Sequence, residues 1–166
     1  MDDDEISCLV PQNSPNGRTG NARYCRMLIE VMRLTSLTTK RLSSVRGLRQ
    51  SAEQLLETVR GLSHELDVLK SSTQHILCFD DSLDASRLPE GLNLRQALTI
   101  QYSYMCLVID IHSPLANPWS GPFANAKQST AAFAQYESSC AAVAQACRAV
   151  ILAARLIHVN AGCPSL

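Results

Sequence analysis

A chain of 166 residues, 46% hydrophobic and 18% charged, is long enough to bury about 70% of the surface its unfolded form exposes, so a core without staples is feasible and disorder is excluded. Fifteen basic and fifteen acidic side chains cancel, which removes any overall attraction to nucleic acid or anionic lipid. Seven cysteines, at 8, 25, 78, 106, 140, 147 and 163, include no CxxC pair; that spacing argues against zinc and for buried free thiols in a reducing compartment, cytosol or nucleus.

The first ten residues, "MDDDEISCLV", have neither the basic start nor the apolar stretch of a secretory signal. With "PQNSPNGRTGN" they are expected to form an acidic arm and loop over 1–21, ahead of one helical domain over 22–166. From Ala22 to about Val45, the residues Leu28, Val31, Thr35, Thr38, Leu42 and Val45 recur at threes and fours, which predicts one buried helical face. Arg26, Arg33 and Lys40 mark the opposite side, where a solvated face is favoured over a docking stripe for an acidic partner or a phosphate backbone because no aromatics are interleaved.

The next segment carries Leu48, Ala52, Leu55, Val59, Leu62, Leu66 and Leu69 at alternating fours and threes. Such a seam could pair two copies as a coiled coil, which makes Leu48, Leu55, Val59, Leu62, Leu66 and Leu69 candidate interface residues. Its shortness and Gly61 in its interior favour packing against its own neighbours. An acidic loop containing Asp80, Asp81 and Asp84 follows; it lacks the Gly and closing Glu of a calcium loop and is expected to be solvated.

Asn93 is then expected to cap a helix running to about His112, ended by Pro114 and Pro118. Apolar residues on nearly every side from Tyr102 to Ile111 mark this helix as central, and Gln101, Ser103 and Asp110 interrupt it too often for a membrane span. Beyond a loop bearing Trp119, an alanine-rich segment from Gln128 to about Val159 places Phe133, Tyr136, Cys140, Val143, Cys147, Val150, Ala154 and Ile157 on one helical stripe. No stretch alternates with period two, so the expected fold is all-α, an antiparallel bundle of about four to six helices.

Chemistry is sparse. GxSxG, HExxH, the phosphate-binding GxxxxGK[ST] and GxGxxG are absent. Asp110 and His112, two apart, and Cys106 and His112, six apart, diverge around a helix, so no catalytic residue is assigned and the chain is not expected to be an enzyme. Tyr102, Tyr104, His112 and Trp119 are candidates for a small-molecule pocket or, as the favoured reading, for core packing.

Several stretches resemble the fungal-specific transcription factor domain, the middle homology region of binuclear zinc cluster regulators. "MDDDEISCLVP" is similar to the end of that family's first signature. "IQYSYMCLVIDIHSPLANPW" matches the order of its second at Gln101, Tyr102, Tyr104, His112, Pro114 and Trp119, with Ser113 where the family commonly has Arg. "RLSSVRGLRQSAEQLLETVRGLSHELDVLK" is similar to its paired helices before a Leu-Pro loop, here Leu88-Pro89, and "YESSCAAVAQACRAVILAARLI" to its alanine-rich helix. The resemblance implies the C-terminal half of a nuclear regulatory domain, cytoplasmic only if it stands alone, which contacts another protein or a second copy and responds to a possible small-molecule effector. It implies no cofactor in this chain: zinc belongs to the relatives' N-terminal cluster, which is not expected here, and with it direct nucleic-acid binding. The alternative from another class is a small helical ligand-binding protein or enzyme.

Overall fold

The computed structural model describes residues 19–73, 79, 83, 88, 91–117 and 130–157. They form four long helices, α1 (Thr19–Thr38), α2 (Ala52–Thr73), α3 (Leu94–Ala116) and α4 (Thr130–Ala154), and no strand occurs among them. The fold is all-α. Of the arm expected over 1–21, residues 19–21 instead open α1, while residues 1–18, the acidic Asp80, Asp81 and Asp84, and Trp119 lie outside the described residues.

Helix α1 runs on into a single π turn, Thr39–Ser43. Thr35 and Thr39 each donate a side-chain hydrogen bond to the carbonyl four residues earlier, the kind of back-bonding that bends helices. A short 3-10 turn, Gly47–Arg49, completes the link to α2. The link is tightly built. A Cβ on Gly47 would come within 2.5 Å of the Arg41 carbonyl oxygen and 2.7 Å of that of Leu42; the Gly47 amide donates to Ser44 Oγ, and Gln50 Nε2 donates to the Arg41 carbonyl at 2.9 Å.

Two helices begin on reciprocal caps. Ser51 Oγ accepts from the Gln54 amide while Gln54 Oε1 accepts from the Ser51 amide, and Asn93 with Gln96 repeats the arrangement at α3. Each satisfies amides that a helix start otherwise leaves unpaired.

The α1 and α2 helices run antiparallel, since Glu30 shares a groove with Ser72 while Lys40 shares another with Gln54. Helix α3 lies at the centre: it packs most extensively on α4 and also against α1 and α2. Its Ile100, Leu107 and Ile111 meet Val31 of α1 and Val59 and Leu62 of α2 in one cluster with essentially no exposed surface. Each such aliphatic side chain contributes about 1.5–3 kcal/mol by leaving water. Helix α3 is not covered all round, because Cys106 and Asp110 form an exposed stripe. It also passes through Pro114 to Ala116 instead of stopping at His112. Pro114 has no amide for the Asp110 carbonyl and its ring crowds that group, but the helix continues past it, and the bond from the Asn117 amide to the Ser113 carbonyl is intact at 3.1 Å.

On α1 the buried face is Met27, Val31, Leu34, Thr38 and Leu42, not the expected stripe through Leu28 and Thr35; Val45 is exposed beyond the π turn. On α4 the fully buried positions are Ser139, Ala146 and Ala153, seven apart, while Phe133, Cys147, Ala154 and Ile157 of the expected stripe are exposed. Small side chains on α4 let its backbone approach the bulky α3 closely.

Candidate functional site

Of the residues proposed for a pocket, Trp119 lies outside the described residues, and Tyr102, Tyr104 and His112 do not converge on one site. Tyr102 and Tyr104 are two apart on α3, hence about 200° apart around it. Tyr102 donates through its hydroxyl to the Val150 carbonyl of α4 at 3.3 Å. Tyr104 points elsewhere, stacked on the buried Phe79 with ring centroids 4.0 Å apart and planes 13° from parallel. His112 faces α4 like Tyr102, but almost three turns further along. The contacts His112–Ser139 and Tyr102–Val150 run in opposite senses along the two helices, which makes α3 and α4 antiparallel.

His112 Nδ1 lies 3.1 Å from Ser139 Oγ, with both side chains buried. Burial disfavours the imidazolium and pushes the His112 pKa below its ordinary 6.5, against a smaller upward pull from the Asp67 carboxylate on α2. A serine beside a neutral histidine has the ingredients of a nucleophile and a base. Ser139, however, has no exposed surface, so no substrate reaches its oxygen, and the pair serves as a polar clasp between α3 and α4. Cys106 is exposed while His112 is buried, so they form no catalytic pair. Asp110, partly desolvated on the exposed stripe, has its pKa raised by that burial.

The seam of α2 is filled by its own chain. Leu55, Val59, Leu62, Leu66 and Leu69 all lie in the core cluster, packed with α1 and α3 residues. Of the two readings of the seam, these contacts fit packing against its own neighbours and not a candidate interface between copies, since a side chain with no exposed surface, such as Val59 or Leu62, offers nothing to a second molecule. Leu48 falls before the Ser51 cap, off the helix, and is 76% exposed.

Arg26, Arg33 and Lys40 are exposed, but they do not form one binding stripe. Arg33 pairs with Glu30 at 3.2 Å across one turn of α1, beside a groove of about 250 Å³ against α2. Lys40 instead joins Arg41, Arg46 and Arg49 around a wider, open cleft of about 1060 Å³ between the α1–α2 link and α2, where Glu57 is the acidic lining residue. The local folding of that link gathers these four cations at one end of the bundle.

The remaining feature is the outer face of α4. Phe133, Ile151 and Leu152 are 48%, 69% and 41% exposed, and Ala134, Ala141 and Ala144 lie exposed between them. Glu137 and Arg148 are the exposed charges between them, so the face mixes apolar side chains with one acid and one base. Cys25, Cys106 and Cys147 are exposed and Cys140 half-buried, so the expectation that the thiols act as buried hydrophobes fails for three of the four described. Among the described residues no group of three His, Cys, Asp or Glu side chains is placed to hold a metal, and no helix is long and apolar enough to cross a membrane. No family model, curated protein or solved structure matches the chain.

Proposed function

We propose that this chain is a regulatory and interaction domain of a fungal transcription regulator, acting in the nucleus through protein contacts and not through DNA recognition or catalysis of its own. The observation that carries the reading is the outer face of α4, where Phe133 at one end and Ile151 and Leu152 at the other stand in solvent, with Glu137, Ala141, Ala144 and Arg148 exposed between them. Exposed apolar patches of this kind serve contacts with other proteins. The order of the motifs along the chain, which resembles the middle homology region, supplies the regulatory context. In that context α3 is the helix on which the others are assembled, and the "IQYSYMCLVIDIH" segment serves packing: Ile100, Gln101, Tyr104, Leu107, Ile111 and His112 are all buried.

The test is to tether the chain to a heterologous DNA-binding module upstream of a reporter in a fungal host. A changed reporter output supports the reading. An unchanged output from a stably folded, nuclear fusion refutes it.

The basic cleft supports a second reading, an anionic effector held by Lys40, Arg41, Arg46 and Arg49. Thermal melting in the presence of a panel of phosphorylated metabolites tests it, because a ligand specific to the folded state raises the melting temperature with dose.

A further inference from the structure

Along the outer side of α4, Glu137, Ala141, Ala144, Arg148 and Ile151 recur at steps of four and three and so lie on one stripe. The stripe faces away from the Ser139, Ala146 and Ala153 side that α3 covers. All five are exposed, with Phe133, Ala134 and Leu152 alongside. Neither Glu137 nor Arg148 forms an ion pair with a described residue.

The stripe is complementary to itself when reversed. Glu137 lies as far before the junction of Ala142 and Val143 as Arg148 lies after it, and Ala141 and Ala144 are placed in the same way. Two α4 helices laid side by side in opposite directions, with a two-fold axis at that junction, bring Glu137 of each copy level with Arg148 of the other. At the centre Ala141 meets Ala144 of the second copy, small enough for close approach. At each end Phe133 and Ala134 meet Ile151 and Leu152 of the second copy, which covers the exposed apolar side chains. A two-fold contact requires one patch to match itself, and here charge, size and apolarity all match under the same reversal.

We infer that α4 is the contact through which two copies of this chain associate, antiparallel, about the Ala142–Val143 junction. The inference deepens the proposed function by naming the partner, and it rests on that reading only in taking α4 as a protein-contact face. One helix face is smaller than the ~800 Å² per partner of a standard interface, so the dimer is reversible and concentration-dependent.

The experiment is sedimentation equilibrium on the full chain over a concentration series, from about 5 to about 500 μM, a span suited to a small interface. The mass should rise from monomer toward dimer. Glu137→Arg and Arg148→Glu, each placing like charges opposite one another twice, should each raise the dimer Kd about tenfold. The double reversal should restore wild-type association, and an equimolar mixture of the two single variants should associate more tightly than either alone. Circular dichroism melts should match wild type, since both positions are exposed; Ile151→Ser provides a second weakening variant without charge. A monomer at every concentration, or a dimer indifferent to the reversals, or a double reversal no better than the singles, overturns the inference. A monomeric result leaves the regulatory reading standing, because the tethered reporter measures that separately.

Discussion

His112 and Ser139 meet across α3 and α4 at 3.1 Å, at a point where neither helix leaves room for solvent. The clasp ties the register of the two helices at a buried point. Removing the hydroxyl with Ser139→Ala leaves a buried ring nitrogen without its partner, and should cost about 1–3 kcal/mol in equilibrium urea unfolding. Ser139→Leu should cost more, because the larger side chain also drives the helices apart. Equal, negligible effects from the two would show that the helices are not held at this point.

The same histidine makes stability depend on pH. Its folded pKa is lowered, chiefly by burial, below the ordinary 6.5, so as pH falls the unfolded chain takes up the proton first. Stability from this group is therefore complete above about 6.5 and declines on acidification from there toward the folded value, with a slope of at most about 1.4 kcal/mol per pH unit. Asp110 acts in the opposite sense and at lower pH: its raised pKa means the folded chain is protonated first, which returns some stability through the carboxylate range. Urea midpoints measured between pH 7.5 and 5 should fall for the wild type and fall less for His112→Gln.

The α2 seam offers a contrast within one pattern. Leu62 has no exposed surface whereas Leu48 is 76% exposed. Leu62→Ala should cost about 2–5 kcal/mol and Leu62→Asp should abolish the cooperative thermal transition, while Leu48→Asp should stay within about 0.5 kcal/mol of wild type. A folded, monomeric Leu62→Asp would mean that the seam serves another molecule after all.

Gly47 tests the link that gathers the basic residues. Its missing Cβ is what allows the 3-10 turn to lie against the carbonyls of Arg41 and Leu42, and backbone oxygen cannot swing aside as a flexible side chain would. Gly47→Ala should destabilise the fold by about 1–3 kcal/mol as an overpacked site, read in the same urea titration.

Much of the helix content was legible because threes and fours survive in every segment, and Asn93 announced α3 through its cap. The choice between two adjacent stripes was less legible. On α1, Val31, Thr38 and Leu42 fit both, and packing selected Met27 and Leu34 over Leu28 and Thr35. On α4, weighing apolar bulk favoured Cys140 and Cys147, whereas close approach to α3 selected the smallest side chains. The seven-residue recurrence of Ser139, Ala146 and Ala153 was the available signal for that, as the Ser51–Gln54 cap was for excluding Leu48 from α2. Of the candidate site, the buried character of Tyr104 and His112 could be read from the apolar run around them. Their separate partners, Phe79 and Ser139, could not, since those depend on how distant segments fold back.

The central claim is that this domain works by presenting the outer face of α4 while α3 holds the fold. Ile151→Asp, tested in the tethered reporter alongside thermal melting of the purified chain, separates the two roles most directly. The account predicts reporter output returned to that of the DNA-binding module alone, with a melting temperature within a few degrees of wild type, since Ile151 is 69% exposed. An unchanged reporter output from the Ile151→Asp chain, equally stable and equally abundant, would contradict it.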